Sequence, residues 1–165
     1  MPAQADISAN DGRDWRVFIM KGYGLTLAAH LHRCPTVAAL LDEAPEAMSA
    51  TLSFLAPGKH IPEHRGPFRG ILRYHLMLSM PRDGDGASAY VMNIDGVSYR
   101  LGDGKSLLWD NTYRHEVWYR SDQMRIAHLL DVWRKGMPAD IALLSRAILL
   151  GTQAVIHMGG MSYCG

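Results

Sequence analysis

The chain has 165 residues, enough for one domain with a sizeable core. With 48% hydrophobic and 20% charged residues it excludes bulk disorder, and a net charge of +1 argues against a polybasic nucleic-acid binder. Two cysteines far apart in sequence, Cys34 and Cys164, fit a reducing compartment better than a disulfide framework.

Residues 1–12 are small and polar and read as a flexible arm. They contain no basic stretch leading into an apolar run, so no signal peptide is expected and the cytoplasm is the default location. Trp15 to Met20 favour a strand, and Gly22 and Gly24 punctuate the chain just beyond it. Pro35 to Ala44 read as a short helix ended by Pro45. Short runs then come at Thr51 to Ala56, Ile71 to Met80, Ala89 to Ile94, Val97 to Leu101, Ser106 to Trp109, His115 to Tyr119 and Met124 to Trp133. Gly, Pro, Asp and Asn clusters separate them, and Asp95-Gly96 is a tight-hairpin signal. The pattern predicts a mainly β domain over residues 13–137, a barrel or two-sheet jelly roll.

Residues 138–165 form the third unit, a C-terminal helix and tail packed on the domain. Its run from Ala139 to Ile156 is apolar but interrupted by Asp140, Arg146 and Gln153, which disfavours a bilayer span. Closure of the barrel's end or a homodimer contact is the expected role, ahead of a peripheral contact with a membrane surface.

Strand alternation sorts the polar residues by face. Arg73 shares a face with His75 and Met77, Arg125 with Ala127, Leu129 and Asp131, and Ser53 with Thr51 and Leu55. Charges set among apolar neighbours in a barrel interior need partners, and a dicarboxylate ligand is one. His64 and His115 supply two imidazoles suited to divalent iron, and Arg125 a guanidinium suited to an acid's far carboxylate. Gly66 stands where iron oxygenases with two histidines normally carry a third, acidic ligand. His60 lies in a Pro57-Gly58 and Pro62 context that reads as a loop, so its four-residue spacing to His64 carries no helical meaning. Trp118 and Trp133 read as core residues.

Three stretches carry a family resemblance: Ser53-Phe54-Leu55-Ala56-Pro57-Gly58-Lys59-His60-Ile61-Pro62-Glu63-His64, then Leu72-Arg73-Tyr74-His75-Leu76, and Asp110 through His115-Glu116-Val117-Trp118 to Arg125, with Asp131-Val132-Trp133. They resemble the aspartyl/asparaginyl beta-hydroxylase family, and bacterial single-domain members in particular. The resemblance implies a double-stranded β-helix and an Fe(II)- and 2-oxoglutarate-dependent dioxygenase that uses O2 to hydroxylate an unactivated carbon. It implies that His64 and His115 hold the metal, that Ser53 and Arg125 hold the distal carboxylate of 2-oxoglutarate, and that Arg73 and His75 lie near its chelating end. His64, His115 and Arg125 are the residues on which catalysis would depend. Animal members keep Gly where Gly66 stands, whereas bacterial members that hydroxylate lipid A acyl chains tend to carry Asp there.

The resemblance ranks the β-carbon of an aspartyl, asparaginyl or other amino-acid substrate first, whether free, carrier-bound or within a peptide. An acyl-chain hydroxylase is the alternative, because Ile71 stands where animal members place a substrate-binding arginine. Asp110 or Asn111 would steady a water in the vacant ligand position, and an open position would also admit chloride, as in related halogenases. A non-catalytic, cupin-like metal-binding module is the competing class, and it has no need of Arg73 or Arg125.

Overall fold

The computed structural model describes residues 9–66 and 69–159, with side chains through residue 156. Cys164 lies outside them. The elements run β1 (Trp15–Gly22), β2 (Leu25–Thr26), α1 (Ala28–Leu31), α2 (Pro35–Glu43), β3 (Ala47–Leu55), β4 (His60–His64), β5 (Ile71–Ser79), β6 (Tyr90–Ile94), β7 (Val97–Arg100), β8 (Ser106–Trp109), β9 (His115–Tyr119), β10 (Arg125–Trp133) and α3 (Ala139–Gly159). The strands form two antiparallel sheets, β2-β1-β3-β10-β5-β8 and β4-β9-β6-β7, facing each other as a jelly-roll, cupin-like barrel. The predicted Asp95-Gly96 hairpin is present, both residues having the positive φ that a two-residue turn with native twist requires. The same turn recurs at Tyr23-Gly24 between β1 and β2, elements too short for the sequence pattern to reveal.

Two apolar clusters divide the work of stabilisation. Leu55, Ile61, Met77, Tyr90, Met92 and Val117 fill the space between the sheets. Met20, Leu41, Ala50 and Leu130, with Val37 and Tyr74, bury the outer face of the larger sheet beneath α1 and α2. The alternation holds on the central strands: Ser53, His75, Met77, Arg125 and Ala127 are buried, and the register Leu129↔His75 and Ala127↔Ser53 sets their strands side by side.

The structure corrects four expectations. His60–His64 is a strand, not a loop, because it pairs with β9 across a β-bulge at Pro62 and Glu63, where Pro loses no ladder bond. Asn10 and Asp11, expected in the flexible arm, are tied down instead: both accept hydrogen bonds from the buried Lys59 ammonium, at 2.9 and 2.6 Å, and Asp11 also accepts one from the His60 amide. A buried ammonium without such acceptors would be costly, which is why this part of the arm is held. Trp118 and Trp133 are not core residues: Trp118 stacks on His60 outside the smaller sheet, and Trp133 lines a cavity. Finally, α3 lies against the domain through Ser145, Leu149 and Gln153, but most of its apolar side chains face outward.

Candidate active site

The bulge in β4 decides where His64 points. Ile61 pairs with Val117, but His64, not Glu63, comes opposite His115, so one extra residue turns the histidine toward its partner. The two rings stand 4.0 Å apart, centroid to centroid, tilted by 55°. Each Nδ1 is held by a backbone carbonyl two residues earlier, Pro62 O at 2.8 Å and Tyr113 O at 2.9 Å. Donation from Nδ1–H fixes the tautomer and leaves the Nε2 lone pair free to bind a metal. Burial holds both imidazoles neutral: His64 lies below its usual value, with Arg73 adding to the effect, and burial together with the neighbouring His64 takes His115 down to about 4. Among the described residues no cluster of three His, Cys, Asp or Glu exists, so the donor set is these two nitrogens.

Gly66 explains why no acid joins them. A Cβ built at Gly66 would fall far inside van der Waals contact with the Asn111 carboxamide, and the Gly66 amide donates to Asn111 O at 2.6 Å. Asn111 is fully buried, and neither its Oδ1 nor its Nδ2 has a partner within the protein. The carboxamide thus occupies the space that a carboxylate at position 66 would need. Its unused donor and acceptor suit a metal-bound water. Gly66→Asp is therefore expected to lose about 1–3 kcal/mol of stability, and shortening the neighbour in Gly66→Asp/Asn111→Gly to restore most of it. Denaturant melts of the parent, both single variants and the double variant measure this; a Gly66→Asp protein as stable as the parent would show that Asn111 moves aside freely.

Arg125 occupies the far side of the barrel. It is 2% exposed, Nη1 donates to Ser53 Oγ at 3.0 Å, and the guanidinium lies 4.8 Å from the Tyr90 ring centre. No carboxylate among the described residues lies within ion-pair distance of it, and Nε has no partner. Ser53 Oγ also accepts from Trp15 Nε1 at 3.0 Å, which leaves the hydroxyl proton to be donated elsewhere. His75, on the adjacent strand, is buried with both ring nitrogens unpartnered. Burial first, and then the charges of Arg73 and Arg125, hold it well below the usual histidine value. Trp109 connects the two halves, edge-on to His115 at 4.5 Å and to His75 at 5.7 Å.

Arg73 is already paired with an acid of the chain itself. Its Nε and Nη2 grip Asp131 in a fork at 2.7 and 2.9 Å, and Asp131 also accepts from Ser49 Oγ at 2.8 Å. This pair borders a cavity of about 150 Å³ at the barrel's open end, walled by Ile19, Met48, Ile71, Trp133 and Leu149. All six residues read from sequence line the barrel interior or its rim, whereas His60 lies on the outer face, stacked on Trp118 at 3.7 Å with Nε2 3.5 Å from Glu116. Sequence reasoning does not single out Trp15, Tyr90 or Asp131. Asp131 is discoverable as the cross-strand partner of Arg73, but nothing in a single sequence pairs Trp15 with Ser53.

Comparison with known proteins identifies the family. The family described as aspartyl/asparaginyl beta-hydroxylase matches residues 1–135, ending just before α3. The ornithine lipid ester-linked acyl 2-hydroxylase of Rhizobium tropici is 33% identical over 117 residues, 71% of this chain and 41% of that protein. Human aspartyl/asparaginyl beta-hydroxylase is 26% identical over 147 residues, 81% of this chain and 19% of its own length. Among solved structures, the cupin domain of Schizosaccharomyces pombe Cnp3 is similar over 52% of this chain and 56% of its own, with 6% identity and a TM-score of 0.43. The chain therefore spans less than half the length of either curated relative, but the match covers the whole barrel and every candidate ligand, and the chain belongs to the aspartyl/asparaginyl beta-hydroxylase family, a family of hydroxylases.

Proposed function

We propose that the chain is an Fe(II)- and 2-oxoglutarate-dependent hydroxylase acting on a substrate that carries an apolar acyl chain. The observation that carries the cosubstrate is Arg125, a guanidinium buried without a carboxylate, in the same barrel as two neutral imidazoles. A cation so placed is expensive unless an anionic ligand completes it, and the far carboxylate of 2-oxoglutarate matches its fork. The residues present fit the metal as well: two Nε2 lone pairs, and an unpartnered carboxamide where a third ligand would stand.

In this reading His64 and His115 hold the iron, Ser53 and Arg125 the distal carboxylate, and His75 with Arg73 the chelating end. Bound iron and 2-oxoglutarate supply the oxidising chemistry, with O2 consumed and succinate and carbon dioxide released. The chain's tasks are to keep the imidazoles neutral and oriented, to neutralise the acid in a dry interior, and to aim one C–H bond at the metal. Asp131 keeps Arg73 in place at the edge of the cavity, so positive charge remains near the acid, beside a lining that joins the apolar Ile19, Met48, Ile71, Trp133 and Leu149 to the polar Lys21, Tyr23, Ser49 and Thr51.

The acyl assignment rests on that cavity. Ile71 puts an apolar wall where the animal relatives are expected to present a cation, and Ile19, Met48, Trp133 and Leu149 continue it. The Rhizobium relative is named for an ester-linked acyl chain, which supports the same class. The resemblance that ranks an amino acid first includes Glu116 and Trp118, yet these side chains meet His60 on the barrel's outer face. Anaerobic titration with Fe(II) and 2-oxoglutarate, followed by succinate release in air, tests the reading, with acyl lipids, aspartate, asparagine and peptides as candidate substrates. Gain of one oxygen by an acyl lipid is expected. Oxidation of amino acids alone would overturn the substrate class, chlorine incorporation would mark a halogenase, and failure to bind 2-oxoglutarate would leave a non-catalytic metal module.

A further inference from the structure

The C-terminal helix α3 is amphipathic the wrong way round for water. Ala142, Ser145, Leu149, Thr152, Gln153 and Ile156 face the domain, with Ser145 only 4% exposed and Gln153 Nε2 donating to Tyr23 O at 2.6 Å. The opposite arc presents Leu143, Leu144, Ile148, Leu150 and Val155, the most open being Leu143 at 70%, Val155 at 65% and Leu150 at 64%. A helix on a wetted surface buries its apolar stripe and shows its polar one. Here the polar groups Ser145, Thr152 and Gln153 are inside, and the outward arc is apolar at these five residues, with the exposed Asp140 confined to its first turn. It exposes on the order of 600 Å² of apolar surface, the upper end of what a monomeric soluble protein leaves open.

The surroundings indicate what covers this face. Leu149, from the inner side of α3, walls the mouth cavity together with Ile71 and Trp133, so the helix lies at the barrel's open end. Three acids near that end are paired, Asp131 by Arg73, Asp110 by Arg134 and Glu46 by Lys135, and Asp140 in the first turn of α3 is the exposed exception, with no ion pair among the described residues. Among the cations that have no carboxylate within ion-pair distance among the described residues are Lys21 in the cavity wall, Arg65, Arg69 and, on α3 itself, Arg146. Arg134 Nε donates to Arg69 O, which places Arg69 beside the end of β10. An apolar helix face joined to cations without acidic partners complements an anionic lipid surface. A second copy would cover the apolar arc but would bring two positive ends together. The stretch Ala139–Ile156 is long and apolar enough to cross a bilayer, yet Arg146 sits in its middle and Gln153 is bonded to the domain, so the helix lies along a surface and does not pass through.

We propose that the outward face of α3 docks on an anionic lipid bilayer and sets the mouth cavity against the acyl layer. The docking stands on exposure and charge alone; delivery of an acyl chain rests on the hydroxylase reading above. Flotation of the full chain with phosphatidylcholine vesicles, and with equal parts phosphatidylcholine and phosphatidylglycerol, tests it. Binding to the anionic vesicles is expected, falling about tenfold or more in high salt, where exposed charges are screened. The triple variant Leu143→Ser/Leu144→Ser/Leu150→Ser is expected to lose at least about tenfold in partition while melting at an unchanged temperature, its substitutions being exposed. Absence of binding, or equal binding by the variant, overturns the docking. So does a parent that sediments as a dimer, becomes monomeric on the triple substitution and never floats. Vesicle binding without oxidation of any acyl lipid leaves the docking intact and removes the delivery.

Discussion

Replacing His115 with alanine is expected to weaken Fe(II) binding by about 100-fold or more and to abolish succinate release. The basis is that two nitrogens are the whole donor set among the described residues, so loss of one leaves no chelate; even groups that only orient metal ligands are worth about 10–100-fold. His64→Ala should behave alike, because the β4 bulge brings it opposite His115. His60→Ala is the control: it lies four residues away in sequence but stacks on Trp118 outside the barrel, and its loss should leave iron affinity unchanged. Anaerobic titration of the three variants measures this, and a His60 effect equal to that of His64 would refute the assignment. The same histidines govern acid stability of the metal-free chain. His64, His75, His115 and His128 all lie below the usual histidine value, chiefly through burial, with His115 at about 4. Between about pH 6.5 and 4 the unfolded chain therefore binds more protons than the native one. Stability is fully present above that window and falls as pH drops through it, so the metal-free protein should melt lower at about pH 5 than at about pH 7.5.

Arg125→Met should separate function from stability. Loss of a buried, bidentate cation is expected to weaken 2-oxoglutarate binding by about 10²–10⁴-fold, the range that contains the roughly 3–5 kcal/mol that breaking a buried pair costs. The ligand-free protein, however, holds this guanidinium without a counter-ion among the described residues, so an apolar side chain of similar length should leave it equally stable or more so, by about 1–4 kcal/mol. Thermal melts with and without 2-oxoglutarate report both quantities: the parent gains melting temperature on adding the acid and the variant does not. A variant markedly less stable than the parent without ligand would show that Arg125 serves the fold through Ser53 and Tyr90. Arg125→Lys keeps the charge but loses the fork, and should fall between the two.

Much of the site is visible before folding because strand alternation is local. Knowing only that Ile71–Ser79 and Arg125–Trp133 are strands puts Arg73 with His75 and Arg125 with Asp131 on defined faces, and the structure keeps those groupings. The inward turn of His64 is legible only through the family resemblance. Regular alternation from Ile61 would turn Glu63 inward, and the bulge that reverses this depends on pairing with β9, about fifty residues away in the chain. The Asn111 carboxamide over Gly66 has the same character, since a glycine in sequence does not say what fills the space beside it.

What the sequence by itself determined is the class of molecule: short strands with their turn residues, and two imidazoles and a guanidinium in a recognisable family order. Periodicity and turn chemistry are set by neighbours in the chain, so they survive without coordinates. Tertiary structure alone decided which residue of β4 points inward, that Arg73 is gripped by Asp131, that Ile71 and Trp133 wall a cavity, and that α3 turns its leucines outward. Each of these depends on which distant surfaces meet. A helix shows its apolar arc in its sequence, but only packing determines whether that arc faces the protein or something else.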